Sequence, residues 1–223
     1  WRGGAIWFAG AQRTASHLFR LDPATKRIAR VSGPDGAMIG GISLSADATS
    51  AAFTISSPTA LPEIAASPVA AWAPKVLTDM SRQLQPLQVG SREVITWKSH
   101  DGTMIEGILI KPANFDPARK YPLLCVIHGG PTGTDRPALP DARYYPVDAW
   151  VARGAVVLKV NYRGSAGYGQ AFRTLNVLAA GNIVINQRIV DQNAAAGAGL
   201  TSKPLRPPVM TTSLLEFAFP VVG

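Results

Sequence analysis

The 223 residues are 47% hydrophobic and 16% charged, enough apolar material for a packed core and too much for a disordered chain. The formal net charge of +8 is diffuse: ten Lys/Arg against six Asp/Glu over residues 1–100, five against six over 101–150, and seven against two over 151–223. With no dense basic run and no aromatics interleaved in one, nucleic acid is excluded as an expected partner. No apolar run approaches the roughly 20 residues that cross a bilayer, so no membrane partner is expected either.

From the N-terminus, "WRGGAIWFAG" lacks the basic, apolar and small-residue layout of a signal peptide and reads as mid-domain sequence. "AIWFAG", "SHLFRLD" and "RIARVS" follow as short strands, with "DPAT" as a turn before Lys26. "GISLSADATSAAFTISSP" is a strand, a polar turn near Asp47 and a second strand, and "LPEIAAS" and "KVLTDM" continue the pattern. Strands at this spacing suggest the end of a larger all-β array such as a propeller. Near residue 90 the pattern changes. "REVITWKS" and "MIEGILIKP" form a hairpin around an Asp101-Gly102 turn. "LLCVIH" is a continuous apolar run, expected to be a strand buried on both faces, with its single Cys125 as a buried structural thiol. "YYPVDAWVARG" reads as a short helix closed by Gly154, "AVVLKVN" as a second buried strand, "YRGSAGYG" as a loop and "QAFRTLNV" as the start of a helix. Strand, helix, strand is an α/β unit. Residues 178–223 carry weak periodicity and a cluster of Pro204, Pro207 and Pro208, and remain unassigned.

The stretch with the most chemistry is "LCVIHGGP", Leu124–Pro131. Ligands of α/β sheets gather at the carboxyl ends of strands, where this HGGP stands. Gly129 and Gly130 tolerate positive φ and leave backbone N–H groups unobstructed, as an oxyanion-binding loop requires. Read alone, the tetrapeptide fits a tight turn equally well.

Its context is more specific. From "REVITWKSHDGTMIEGILIKP" through "FDPARKYPLLCVIHGGP" to "VARGAVVLKVNYRGSAGYGQAF", the chain resembles the prolyl oligopeptidase family of serine peptidases, nearest to its acylaminoacyl-peptidase and dipeptidyl-peptidase-like branches. The resemblance covers about residues 89–177. It implies an α/β fold class, the start of an α/β-hydrolase domain (89–177) preceded by the last strands of a β-propeller (1–88). It implies a peptide substrate and an oxyanion loop at Gly129 and Gly130. His128 and Arg163 are then loop-supporting residues, since the family's catalytic base lies far downstream. His17 and His100 receive no role. Relatives of this type include cytosolic and exported enzymes.

The rest of the chemistry is missing. A serine peptidase of this fold carries G-x-S-x-G, then Asp, then His. The nearest match, Arg163-Gly164-Ser165-Ala166-Gly167, lacks the first glycine, and no histidine follows His128. If "VMTTSLLEFAFPVVG" corresponds to the helix and strand after the family's elbow, Thr201 stands where the nucleophile belongs, and Lys203 and Pro204 replace its glycines. No catalytic residue is therefore assigned, and a truncated, frameshifted or degenerate gene product is expected. There is no H-E-x-x-H, no cysteine pair, no Walker loop and no G-x-G-x-x-G after a strand, so neither metal nor cofactor is expected. The competing expectation is a non-catalytic binding protein that keeps the scaffold.

Overall fold

A computed structural model describes residues 1–99, 101–130, 132–140 and 145–176. His100 and the tail from Val177, with Thr201, Lys203 and Pro204, lie outside the described residues.

The first part is one seven-stranded sheet. Its strands are β1 (Ile6–Gln12), β2 (Ala15–Leu21), β3 (Ile28–Arg30), β4 (Met38–Leu44), β5 (Ser50–Ser56), β6 (Glu63–Pro68) and β7 (Lys75–Val76). β4 to β7 form an antiparallel meander, and β1 to β3 form another. A single parallel bridge, Ser16 to Met38, joins the two. The segment read as the strand "KVLTDM" pairs over Lys75 and Val76 only. Its next residues serve as hydrogen-bond donors to Glu63: the Thr78 hydroxyl (2.6 Å), Met80 N (2.9 Å), and Ser81 N (2.8 Å) and Oγ (2.9 Å). The core is Leu18, Ile39, Ala51, Phe53 and Ala65, with Trp72 stacked 4.8 Å from Phe53. His17 belongs to this interior, its Nδ1 3.1 Å from Ser32 Oγ, and burial lowers its pKa.

The second part is a four-stranded sheet in the order β10-β11-β9-β8. Its strands are β8 (Ser91–Lys98), β9 (Met104–Lys111), β10 (Leu123–Ile127) and β11 (Val156–Asn161). β8 and β9 make the expected hairpin. Its turn is closed by Ser99 N to Thr103 O (2.8 Å), with Gly102 at φ +83°. β10 and β11 are parallel, so the chain must cross over between them, and the helix α1 (Val147–Ala152) lies in that crossover. Side chains alternate as the pleat demands. Ile105, Leu109, Val156, Leu158 and Val160 pack with Trp97 on one face. Ile108, Ile110 and Val157 face the other way, where Val147 and Val151 of α1 cover them. Withdrawing one such side chain from water contributes about 1.5–3 kcal/mol.

Two sequence expectations need correction. β10 is not buried on both faces: only Val126 is fully buried, and β11 is its one partner among the described residues, which leaves it at the edge of the described sheet. Cys125 is accordingly half-buried rather than fully enclosed, although burial still pushes its thiol up to about 11. "QAFRTLNV" does begin a helix, α2 (Gln170–Arg173), followed by a 3₁₀ turn over Thr174–Asn176.

The two sheets meet at specific polar contacts. Leu139 N donates to Ser57 O (3.0 Å). The buried Arg92 donates to Pro58 O (3.3 Å) and pairs with Asp148 of α1. Arg13, in the turn between β1 and β2, donates from its backbone N to Gly167 O (2.8 Å) and pairs through its side chain with Glu106 of β9.

Candidate functional site

Because β10 and β11 are parallel neighbours, with Ile127 beside Val160, their carboxyl ends deliver the HGG loop and the "NYRGSAGYG" loop to the same place. Gly129 and Gly130 are exposed there. Among the described residues neither of their N–H groups donates to a protein acceptor. Gly130 holds φ +130°, and a Cβ on it would stand 2.7 Å from Gly133 N and 2.9 Å from Thr132 N. Gly129 differs from the sequence expectation. It is not in the positive-φ region, and a Cβ there would meet open space. Its side is open through lack of neighbours, not through conformation.

His128 points away from this opening, into the second loop. Its ring stacks on Tyr162 with centroids 4.5 Å apart, and the Tyr162 hydroxyl donates to His128 O (2.8 Å). Nε2 lies 3.0 Å from Ser165 Oγ, and Nδ1 lies 3.1 Å from Gly129 O. This serine–histidine pair has the spacing of a catalytic dyad but not its accessibility. Ser165 is fully buried, and its hydroxyl donates to Tyr162 O at 2.6 Å, so no substrate carbonyl can reach it. Arg163 donates to Asp101 Oδ1 in the β8–β9 turn. The Thr103 N–H first, and the Arg163 charge with it, hold the Asp101 carboxyl down at about 2. His128 thus contacts Tyr162 and Ser165 of the second loop, and Arg163 contacts the β8–β9 turn.

Beneath the two loops lies a buried polar network that sequence reasoning did not single out. Lys159 of β11 pairs with Asp135 (2.8 Å). Asn161, fully buried, brackets Asp135: its Oδ1 accepts from Asp135 N (2.7 Å) and its Nδ2 donates to Asp135 O (3.0 Å). The same Nδ2 donates to the Tyr168 hydroxyl (3.1 Å), which donates onward to Glu106 Oε2 (2.8 Å). Burial, then the Glu106 carboxylate, push the Tyr168 pKa up. Thr134 Oγ1 donates to Ala166 O (2.6 Å) and Ala166 N to Gly133 O (3.2 Å), which closes the two loops on each other. The available signal was a lysine and an asparagine in a strand of valines and leucine, "AVVLKVN". Such a residue stays in a core only when paired.

Comparison with known proteins gives the site a setting. No family model matches the chain. It is 36% identical over 80 residues to the uncharacterized peptidase YuxL of Bacillus subtilis, covering 36% of this chain and 12% of the relative. It is 45% identical over 69 residues to dipeptidyl-peptidase 5 of Aspergillus fumigatus, covering 31% and 9%. Among solved structures it is similar to the Pyrococcus horikoshii acylaminoacyl peptidase (TM-score 0.61, 22% identity, 78% of this chain and 26% of that one). It is also similar to Porphyromonas gingivalis dipeptidyl peptidase 4 (TM-score 0.64, 22% identity, 88% and 28%). These neighbours combine propeller and hydrolase domains. The chain spans about a quarter of each such structure and about a tenth of the relatives it matches.

Proposed function

We propose, for a chain that belongs to the prolyl oligopeptidase family of serine peptidases, that the HGG loop after β10 is the oxyanion-binding half of an acyl-transfer site acting on peptides. The observation that carries this reading is the pair of exposed residues Gly129 and Gly130, at the carboxyl end of a parallel strand, whose N–H groups are committed to no protein acceptor among the described residues. Donors already aimed at the developing negative charge need no reorganisation during reaction. Each is worth roughly 10²–10³ in kcat in acyl-transfer enzymes. His128 and Arg163 hold the loop and take no proton from substrate. Residues 1–88 serve as the end of a propeller and 89–177 as the opening half of the hydrolase domain.

Hydrolysis needs a nucleophile and a base as well. These 223 residues contain no G-x-S-x-G and no histidine after His128. The chain on its own therefore turns over no peptide. The purified chain is tested against dipeptidyl p-nitroanilides and with a fluorophosphonate probe. Neither product nor adduct is expected, and either would overturn the assignment of no catalytic residue. The oxyanion role is tested in a chimera in which residues 178–223 are replaced by the nucleophile-to-histidine segment of the Bacillus relative. The chimera should hydrolyse peptides, and Gly130→Ala, which drives a Cβ into Gly133 N, should lower kcat roughly hundredfold. An active chimera indifferent to that change would sink the oxyanion reading.

A further inference from the structure

We propose that Arg13, in the turn between β1 and β2, is a positioning residue for the HGG loop, acting across the boundary between the two sheets through Glu106, Tyr168 and Asn161. Its meaning for catalysis rests on the oxyanion reading above; the coupling itself does not.

The connection is continuous. The Arg13 guanidinium pairs with Glu106 Oε1, and the other oxygen of that carboxylate accepts from the Tyr168 hydroxyl at 2.8 Å. Tyr168 in turn accepts from Asn161 Nδ2 (3.1 Å), and Asn161 holds both backbone groups of Asp135. Asp135 closes the segment that begins at Gly133. A Cβ on Gly133 would lie 2.6 Å from Gly129 O and 2.9 Å from His128 Nδ1, so this segment is packed directly against the HGG backbone. The β1–β2 turn also sits on the NYRGSAGYG loop beside it. Arg13 N donates to Gly167 O, and a Cβ on Gly167, which holds φ +93°, would stand 2.8 Å from Arg13 O.

The direction of each bond makes the relay sensitive to Arg13. The Glu106 side chain is 6% exposed, while that of Arg13 is 59% exposed. Arg13 is thus a surface residue serving as the cation for a buried carboxylate. A buried carboxylate that has lost its cation turns toward water. Glu106 Oε2 then leaves the Tyr168 hydroxyl, whose hydrogen must find another acceptor and competes with the one from Asn161. The disturbance therefore reaches Asn161, and through it the backbone of Asp135.

The Asp135 amide reports on this directly, because its hydrogen bond is to the Asn161 side chain. Amide hydrogen exchange is followed residue by residue in the full 223-residue chain. Arg13→Ala should lower protection of the Asp135 amide at least tenfold and leave the β9 and β11 ladder amides of Leu109 and Leu158 unchanged. Arg13→Lys should restore part of it. Tyr168→Phe, which deletes one hydroxyl and keeps the Arg13–Glu106 pair, should produce the same local loss. Arg30→Ala, which removes a surface pair with Asp35 in the same sheet, should do nothing at Asp135. Unchanged protection at Asp135 in both Arg13→Ala and Tyr168→Phe would overturn the proposal. So would a uniform loss across β9 and β11, since Arg13 would then only stabilise the fold. Coupling seen at Asp135 together with a chimera indifferent to Gly130→Ala would reject the oxyanion reading and leave the relay standing.

Discussion

Lys159 shows at the scale of one residue how the site is made. Leu158 and Val160 on either side of it are apolar, yet its ammonium lies buried against Asp135, 2.8 Å away. Burying two charges costs about as much as their attraction returns, so such a pair is weak evidence of stability, while breaking it is expensive. Lys159→Met should destabilise the chain by about 3–5 kcal/mol because it strands Asp135 in the interior. Adding Asp135→Asn should recover a large part of that loss. Urea unfolding of the two variants and wild type measures the difference, and additive losses would show that the pair is not the interaction that matters. Cys125 illustrates the opposite case: an apolar surrounding holds the thiol near 11, so it is no nucleophile at neutral pH.

At the scale of an element, the short 3₁₀ turn over Met80–Leu84 shows how one carboxylate organises a segment with no buried residue of its own. Glu63 at the start of β6 accepts from Met80 N, the Thr78 hydroxyl and both donors of Ser81, and these bonds hold its pKa at about 2 instead of 4.5. A carboxyl whose folded pKa is depressed stabilises the fold above its unfolded pKa, and that contribution is lost as pH falls through the folded value. Wild type should therefore melt above Glu63→Gln near neutral pH, and the gap should close between about pH 4.5 and 2. Thermal melts of both proteins across that range check it; a gap independent of pH would mean that packing, not charge, is what Glu63 supplies. The β8–β9 hairpin and α1 were legible in the sequence because their signals are local: an Asp-Gly turn, and Val147 and Val151 four apart before Gly154. The exposure of β10 was not legible, since an apolar run looks the same in a central strand and at an edge.

For the whole molecule, the two sheets are joined by residues 77–90, which are largely exposed, and by the contacts of Arg13, Ser57 and Pro58 described above. Brief trypsin treatment should cut after the exposed Arg82 before any site within the two sheets, because the turn that holds it buries no residue and opens at less cost than a sheet. The pieces on either side of that cut should still co-elute on native size exclusion, held by the cross-sheet contacts. Their separation would show that the linker, and not the interface, keeps the sheets together.

Residue identity alone was enough for the order of elements, the change of pattern near residue 90 and the family resemblance. Each of these rests on short-range periodicity, turn chemistry or contiguous motifs such as "KYPLLCVIHGGP" and "NYRGSAGYG". The absence of a nucleophile elbow and of a late histidine is likewise a property of the string. Tertiary structure decided which residues meet. His128 finds Ser165 37 residues away, Tyr168 finds Glu106 62 away, and Arg13 finds Glu106 93 away. Those partners are chosen by a parallel β10–β11 pair and by the docking of one hairpin turn on another sheet. No local pattern encodes such partners, because these hydrogen bonds depend on strands far apart in the chain that apolar burial holds together.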